Sequence, residues 1–103
     1  MARALSVARV TVGPEREGEY LALVRDLASA LHQRGQHLWL FRHPSDPGAF
    51  VEFREGDSAS HSLRAPTGEE SRLATELRRV AAYDAAAEEL WLEVPLAEAH
   101  ESS

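Results

Sequence analysis

The chain has no cysteine, which excludes a disulfide framework, thiolate-bound zinc and cysteine nucleophiles together. Lysine, isoleucine and asparagine are missing as well, so all eleven basic residues are arginine. A GC-rich gene explains that bias, because the three missing residues use AT-rich codons, and arginine by itself is therefore weak evidence of function. Long apolar runs are also lacking. No stretch approaches the ~18 consecutive apolar residues of a membrane span. The opening segment MARALSVARVTV carries two arginines and alternates with strand period, in place of the unbroken apolar run of a signal peptide. The expectation is a cytoplasmic protein without a membrane segment. Positive charge is in short supply too: the net charge is −6, and Arg78 and Arg79 are the only adjacent basic pair. That distribution argues against a nucleic-acid footprint.

What is present fits one small domain. With 103 residues, 44% of them apolar and 27% charged, the chain sits among globular proteins and away from disordered ones. Folding at this size removes about 65% of the unfolded chain's surface, which leaves a thin core. We read a single domain over 1–95 and a polar tail over 96–103.

Leu5 to Val12 alternates and is β-branched, as a strand should be. Gly13 and Pro14 end it, and Pro14 with Glu15, Glu17 and Glu19 opens a helix. Tyr20, Val24, Leu27, Ala28 and Leu31 form its apolar stripe, and Gly35 stops it. His37 to His43 and Ala49 to Glu55 read as two strands joined by the turn Pro44-Ser45-Asp46-Pro47-Gly48. After a polar stretch over 56–66, Thr67 to Glu70 matches a capping box, with Leu73, Leu77, Val80 and Ala81 as the buried stripe of a second helix fraying over 84–87. Glu89 to Val94 alternates as a fourth strand. The order βαββαβ with right-handed crossovers gives a ferredoxin-like α+β sandwich: a four-stranded antiparallel sheet with both helices on one face.

Strand parity divides the sheet. One side carries Ala8, Val10, Val12, Leu38, Leu40, Val51, Phe53, Leu90, Leu92 and Val94 and is expected under the helices. The other carries Leu5, Val7, Arg9 and Thr11, then His37, Trp39, Phe41 and His43, then Phe50, Glu52 and Arg54, then Glu89, Trp91 and Glu93. A water-facing patch of Trp39, Phe41, Phe50 and Trp91 demands a cover. Twofold symmetry makes a second copy the economical one, so a homodimer through this face is expected.

The segments GPEREGEYLALVR, HLWLFRHPSDPGAFVEFRE and LWLEVPL resemble the antibiotic biosynthesis monooxygenase family of dimeric α+β barrels, over roughly Ser6 to Pro95. The likeness is best in the hairpin, Arg42-His43-Pro44-Ser45-Asp46-Pro47-Gly48-Ala49-Phe50. The chain departs from the family pattern where Gly56 follows Glu55 and where the stretch that usually ends in a histidine is cut to GDSASHSL, with His61 at the matching position. The resemblance implies a cavity between sheet and helices. It also implies one of several activities, among them cofactor-independent oxygenation of a phenol, quinol or anthrone-like aromatic. Such chemistry needs a base, an anion holder and aromatic walls.

His43 or His37 can serve as base, with Arg9 as anion holder, and Trp39, Phe41 and Trp91 can line the ligand with help from Arg54 and His61. No cofactor and no metal is expected: six residues along a strand separate His37 from His43 by about 20 Å, too far to chelate one ion. Each of these residues also has a structural reading. The histidines can hydrogen-bond backbone at a subunit rim, and Arg9, Glu52, Arg54 and Glu93 can pair across strands. Haem turnover is a further option that lacks a well-placed helical histidine. The alternative to an enzyme is a ligand-binding or purely structural dimerisation module of the same fold.

Overall fold

The computed structural model describes residues 3–57, 67–87, 89–94 and 96. Strand β1 runs Arg3–Thr11. A single 3-10 turn at Pro14–Arg16 leads into helix α1, Glu17–His32. Strands β2, His37–Arg42, and β3, Ala49–Asp57, form the hairpin. Helix α2 spans Gly68–Val80, followed by β4, Ala82–Tyr83, a 3-10 turn at Ala85–Ala87 and β5, Glu89–Leu92. The sheet is antiparallel throughout, in the order β2-β3-β1, with β4 and β5 both on the outer edge of β1.

The expected fourth strand, Glu89 to Val94, is present as β5, and the short β4, within the stretch read as the end of the second helix, adds a fifth strand on the same edge. The second helix also stops at Val80, earlier than its composition suggests, because Ala81 turns extended and Ala82 and Tyr83 pair with Thr11 and Val10. Asp84 then takes the Ala86 N–H on its Oδ1 and starts the 3-10 turn.

Helix ends follow the sequence signals. Gly35 at φ 78° closes α1 with the paired hydrogen bonds of a Schellman motif, Gln36 N to Leu31 O and Gly35 N to His32 O. Thr67 caps α2 by accepting from the Glu70 N–H at 3.1 Å. The reciprocal half of the expected capping box is absent, because the Glu70 side chain turns inward to Arg34. The hairpin turn is fixed by a close approach of backbones. Val12 N donates to Gly48 O at 2.8 Å, and a β-carbon on Gly48 would come within 2.9 Å of the Val12 carbonyl oxygen.

The core lies between the helices and one face of the sheet: Val10, Val12 and Phe50 from the strands, Tyr20, Val24, Leu27 and Leu31 from α1, and Leu73, Leu77 and Val80 from α2. Both helical stripes therefore bury as their spacing predicts. Strand β3 does not. The register sets Phe50 opposite Val10 and Arg42, Glu52 opposite Ala8 and Leu40, and Arg54 opposite Ser6 and Leu38. Residues directly opposite one another share a face, so Phe50, Glu52 and Arg54 point to the helices, and Val51 and Phe53 to the open side. A one-residue shift of parity reverses every side chain of a strand. It is tolerated here because the inward carboxylate and guanidinium find polar partners on the helix side.

Leu90 and Leu92 do lie on the helix side, opposite Ser6 and Ala4. No described helix covers them, however, and Leu90, Leu92 and Val94 stay exposed. Removing Phe50, which packs on the Tyr20 ring at 5.2 Å, should therefore cost about 3–5 kcal/mol as Phe50→Ala. Leu90→Ala should cost under about 1 kcal/mol. Urea unfolding checks both, and the reverse ranking would contradict this packing.

Candidate functional site

Between the sheet and the helices lies a cleft of about 370 Å³, lined by Ser6, Ala8 and Leu27 and by Glu52, Arg54 and Tyr83, among others. Its floor is the inward side of β3. Glu52 is only 6% exposed, and two phenols hold it. Tyr20 of α1 donates to its Oε2 at 2.7 Å, and Tyr83 of β4 donates to the same oxygen at 2.6 Å. Oε1 takes no hydrogen bond from any described residue, and Glu52 lines the cleft. Taking a carboxylate out of water costs several kcal/mol. Two charge-assisted hydrogen bonds return about 1.5–3 kcal/mol each. The arrangement is thus close to neutral for stability, whereas one free carboxylate oxygen is what a proton acceptor needs.

Arg54 stands two residues further along the same face. Its Nη2 reaches Gln36 Oε1 at 3.5 Å, and its buried Nε has no hydrogen-bond partner among the described residues. Burial draws this guanidinium below its ordinary value, opposed by the nearby Glu70 and Glu52 carboxylates. Glu70 is itself buried and paired through Oε1 with Arg34, and its Oε2 has no partner among the described residues. A free carboxylate oxygen at a cleft that Arg54 also lines can accept a proton beside a positive charge that steadies the anion that remains.

The other face holds most of the side chains that the sequence nominated. His37, Trp39 and Phe41 of β2 share it with Arg9 of β1 and Trp91 of β5. Trp39, Phe41 and Trp91 are 46%, 58% and 56% exposed. Phe50, expected among them, is in the core, and Arg54 lies on the opposite side of the sheet from Arg9. The expected cross-strand cluster of Arg9, Glu52, Arg54 and Glu93 is accordingly split by the sheet.

His37 bonds Glu55 through Nδ1 at 3.1 Å and stacks on Trp39 at 5.8 Å. His43 sits where the hairpin turns, and its Nδ1 accepts the backbone N–H groups of Ser45 at 3.0 Å and Asp46 at 3.2 Å. That lone pair is consumed by the turn, so the neutral ring presents an Nε2–H donor. His61 lies outside the described residues. Among the described residues no three His, Asp or Glu side chains gather as a metal site, and no helix is long and apolar enough to cross a membrane.

Glu52, Tyr20 and Tyr83 were missed as a unit. The available signal was Tyr20, whose position in the buried stripe of α1 required a partner for its hydroxyl. Burial, and then the negative charge and hydrogen bond of Glu52, push both phenols well above the ordinary value of 10.0. The sign follows: unfolded tyrosines ionise near pH 10 while the native ones do not, so their contribution to stability is complete below that pH and is lost as pH rises above it. In an alkaline titration, tyrosinate absorbance should appear only together with loss of helical circular dichroism. Ionisation of either tyrosine near 10 with the helices intact would contradict the burial.

No protein-family model matches the sequence, and no curated protein matches it. Solved structures do match in shape. A conserved protein from Methanosarcina mazei superimposes with TM-score 0.73 at 17% identity, over 90% of this chain and 92% of that one. A structure described as antibiotic biosynthesis monooxygenase gives TM-score 0.65 at 24% identity, over 92% and 98%. SnoaB, a cofactor-independent oxygenase from Streptomyces nogalater, gives 0.68 at 17% identity, over 92% and 94%. The chain has the ferredoxin-like α+β fold of the antibiotic biosynthesis monooxygenase structures.

Proposed function

We propose that this protein is a small homodimeric enzyme that oxidises a phenol, quinol or anthrone-like aromatic with dioxygen and without a cofactor, in the cleft floored by Glu52 and Arg54. The observation that carries the reading is the Glu52 carboxylate, held by two tyrosines through one oxygen and left with the other free. In this reading Oε1 takes a proton from the bound aromatic, and Arg54 holds the resulting phenolate or carbanion. The electron-rich anion then reduces dioxygen. For a substrate methylene, one oxygen atom is retained as a new carbonyl and the other leaves as water with the two hydrogens lost from carbon. Leu27 and Leu77 keep the walls apolar, which favours charge transfer over solvation. The likeness of fold to a cofactor-independent oxygenase supports the reaction class.

The same reading assigns the open face to a second copy of the chain. Trp39, Phe41 and Trp91 are large and exposed, and a twofold axis would let one patch cover its own image. A non-catalytic dimerisation module would use this face equally but gives the free Glu52 oxygen no task.

Glu52→Gln should abolish oxygen uptake with hydroquinone or anthrone substrates while leaving the fold intact. Replacing the whole polar unit, as Tyr20→Phe with Glu52→Leu and Tyr83→Phe, should leave stability unchanged or raise it by about 1–4 kcal/mol, again without activity. Oxygen uptake retained by Glu52→Gln would overturn the reading. For the dimer, light scattering should give twice the chain mass for wild type and a single chain mass for Phe41→Arg with Trp91→Arg. A wild-type monomer at micromolar concentration would contradict it.

A further inference from the structure

Glu70 is a buried carboxylate that the proposed reaction leaves unused. We propose that it is a positioning residue for Arg54, taking up part of the guanidinium charge and so setting how tightly the Glu52 cleft holds an anion. The inference rests on Arg54 as the anion holder of that cleft. Its origin is local. Glu70 is the third residue of α2, where the glutamate of a capping box ordinarily bends back to its own helix cap. Here Thr67 alone serves the cap, and the carboxylate turns inward to Arg34 at 2.5 Å. Arg34 arrives from the turn that ends α1. Gly35, at φ 78°, reverses the chain there, and the residues flanking it reach different partners, Arg34 meeting Glu70 and Gln36 meeting Arg54. A single turn thus supplies a partner to each of the two charges.

Water does little to screen this arrangement, because only 4% of the Glu70 side chain and 14% of the Arg34 side chain are exposed. Arg34, Glu70, Arg54 and Glu52 alternate in sign. Burial draws the Arg54 guanidinium down, and the two carboxylates oppose it, Glu70 more than Glu52, while Arg34 acts with burial. Arg54 is therefore shared between two acids. Glu52 lines the cleft, whereas Glu70 and Arg34 are not part of its lining, so the pair acts on a bound anion only through Arg54. The division has a chemical use. Tight binding of the substrate anion before it meets dioxygen would lower the ground state and add nothing to the rate. A counter-charge behind the guanidinium limits that hold.

Calorimetric titration with 4-nitrophenolate at about pH 9 tests this without turnover, with nitrobenzene as a neutral ligand of like shape. At that pH the arginines keep their charge and the two buried tyrosines keep their protons. Glu70→Gln preserves shape but removes the charge. It should tighten 4-nitrophenolate by about threefold or more and leave nitrobenzene unchanged. Arg34→Met with Glu70→Met removes the buried pair whole, which a fold tolerates better than the loss of one partner, and keeps the test available if the single variant does not fold. This double variant should tighten the anion by less, since Glu70 outweighs Arg34 at Arg54 and its loss is only partly cancelled. In an Arg54→Gln background, Glu70→Gln should lose its effect. A purely structural Glu70 would loosen both ligands or neither. Unchanged or weaker 4-nitrophenolate in both Glu70 variants, an equal change in nitrobenzene, the same gain without Arg54, or no saturable binding to wild type would each overturn the proposal. Because oxygen uptake is not read, failure of the predicted gain leaves the test of Glu52 standing.

Discussion

A carboxylate beneath two helices is the constraint around which this molecule is arranged. Glu52 receives a hydroxyl from Tyr20 on α1 and another from Tyr83 on β4, so a single oxygen atom joins the first helix, the third strand and the short edge strand that follows the second helix. Neither phenol would be tolerated at its depth without an acceptor, and the carboxylate would not be tolerated without donors. An apolar trio of similar volume would hold the fold at least as well. In the proposed reading the polar trio serves chemistry in the adjacent cleft, since stability alone does not call for it.

From that inward turn of β3 the two faces of the sheet acquire different characters. On the helix side, Glu52 and Arg54 make a polar floor within an apolar shell. On the open side, the displaced Val51 and Phe53 join Trp39, Phe41 and Trp91 in an aromatic surface. Phe53 meets Phe41 edge to face at 5.4 Å. A thin core at this chain length gains from covering that surface. The ferredoxin-like fold fixes neither use, since one fold hosts many functions and the work is done by particular side chains.

The helices, the hairpin and the element order were legible in the sequence, because each rests on a strong local signal: a 3.6-residue apolar stripe, a Pro-Asp-Gly turn, a threonine cap and a glycine stop. The facing of β3 was not. In AFVEFRE the residues alternate with apolar side chains at both parities, Phe50 on one and Val51 with Phe53 on the other, so periodicity alone does not choose. The choice is made by Tyr20 and Tyr83, which lie more than thirty residues away on either side in the chain and become partners only once the sheet and helices have packed. The role of His43 was hidden for a similar reason. Its lone pair is committed by turn geometry that the residue type does not disclose. The short strand β4 was unreadable because Ala81 to Ala87 has the composition of a helix but the pairing of a strand end.

The account stands most directly on the coupling between Glu52 and Tyr83. A double-mutant cycle built from Glu52→Gln, Tyr83→Phe and the combined variant, read by urea unfolding at neutral pH, isolates that interaction from the packing around it. A hydrogen bond to a buried charge predicts a coupling of about 1.5–3 kcal/mol. A coupling indistinguishable from zero would mean that the carboxylate does not face the helices, and the cleft described here would not exist.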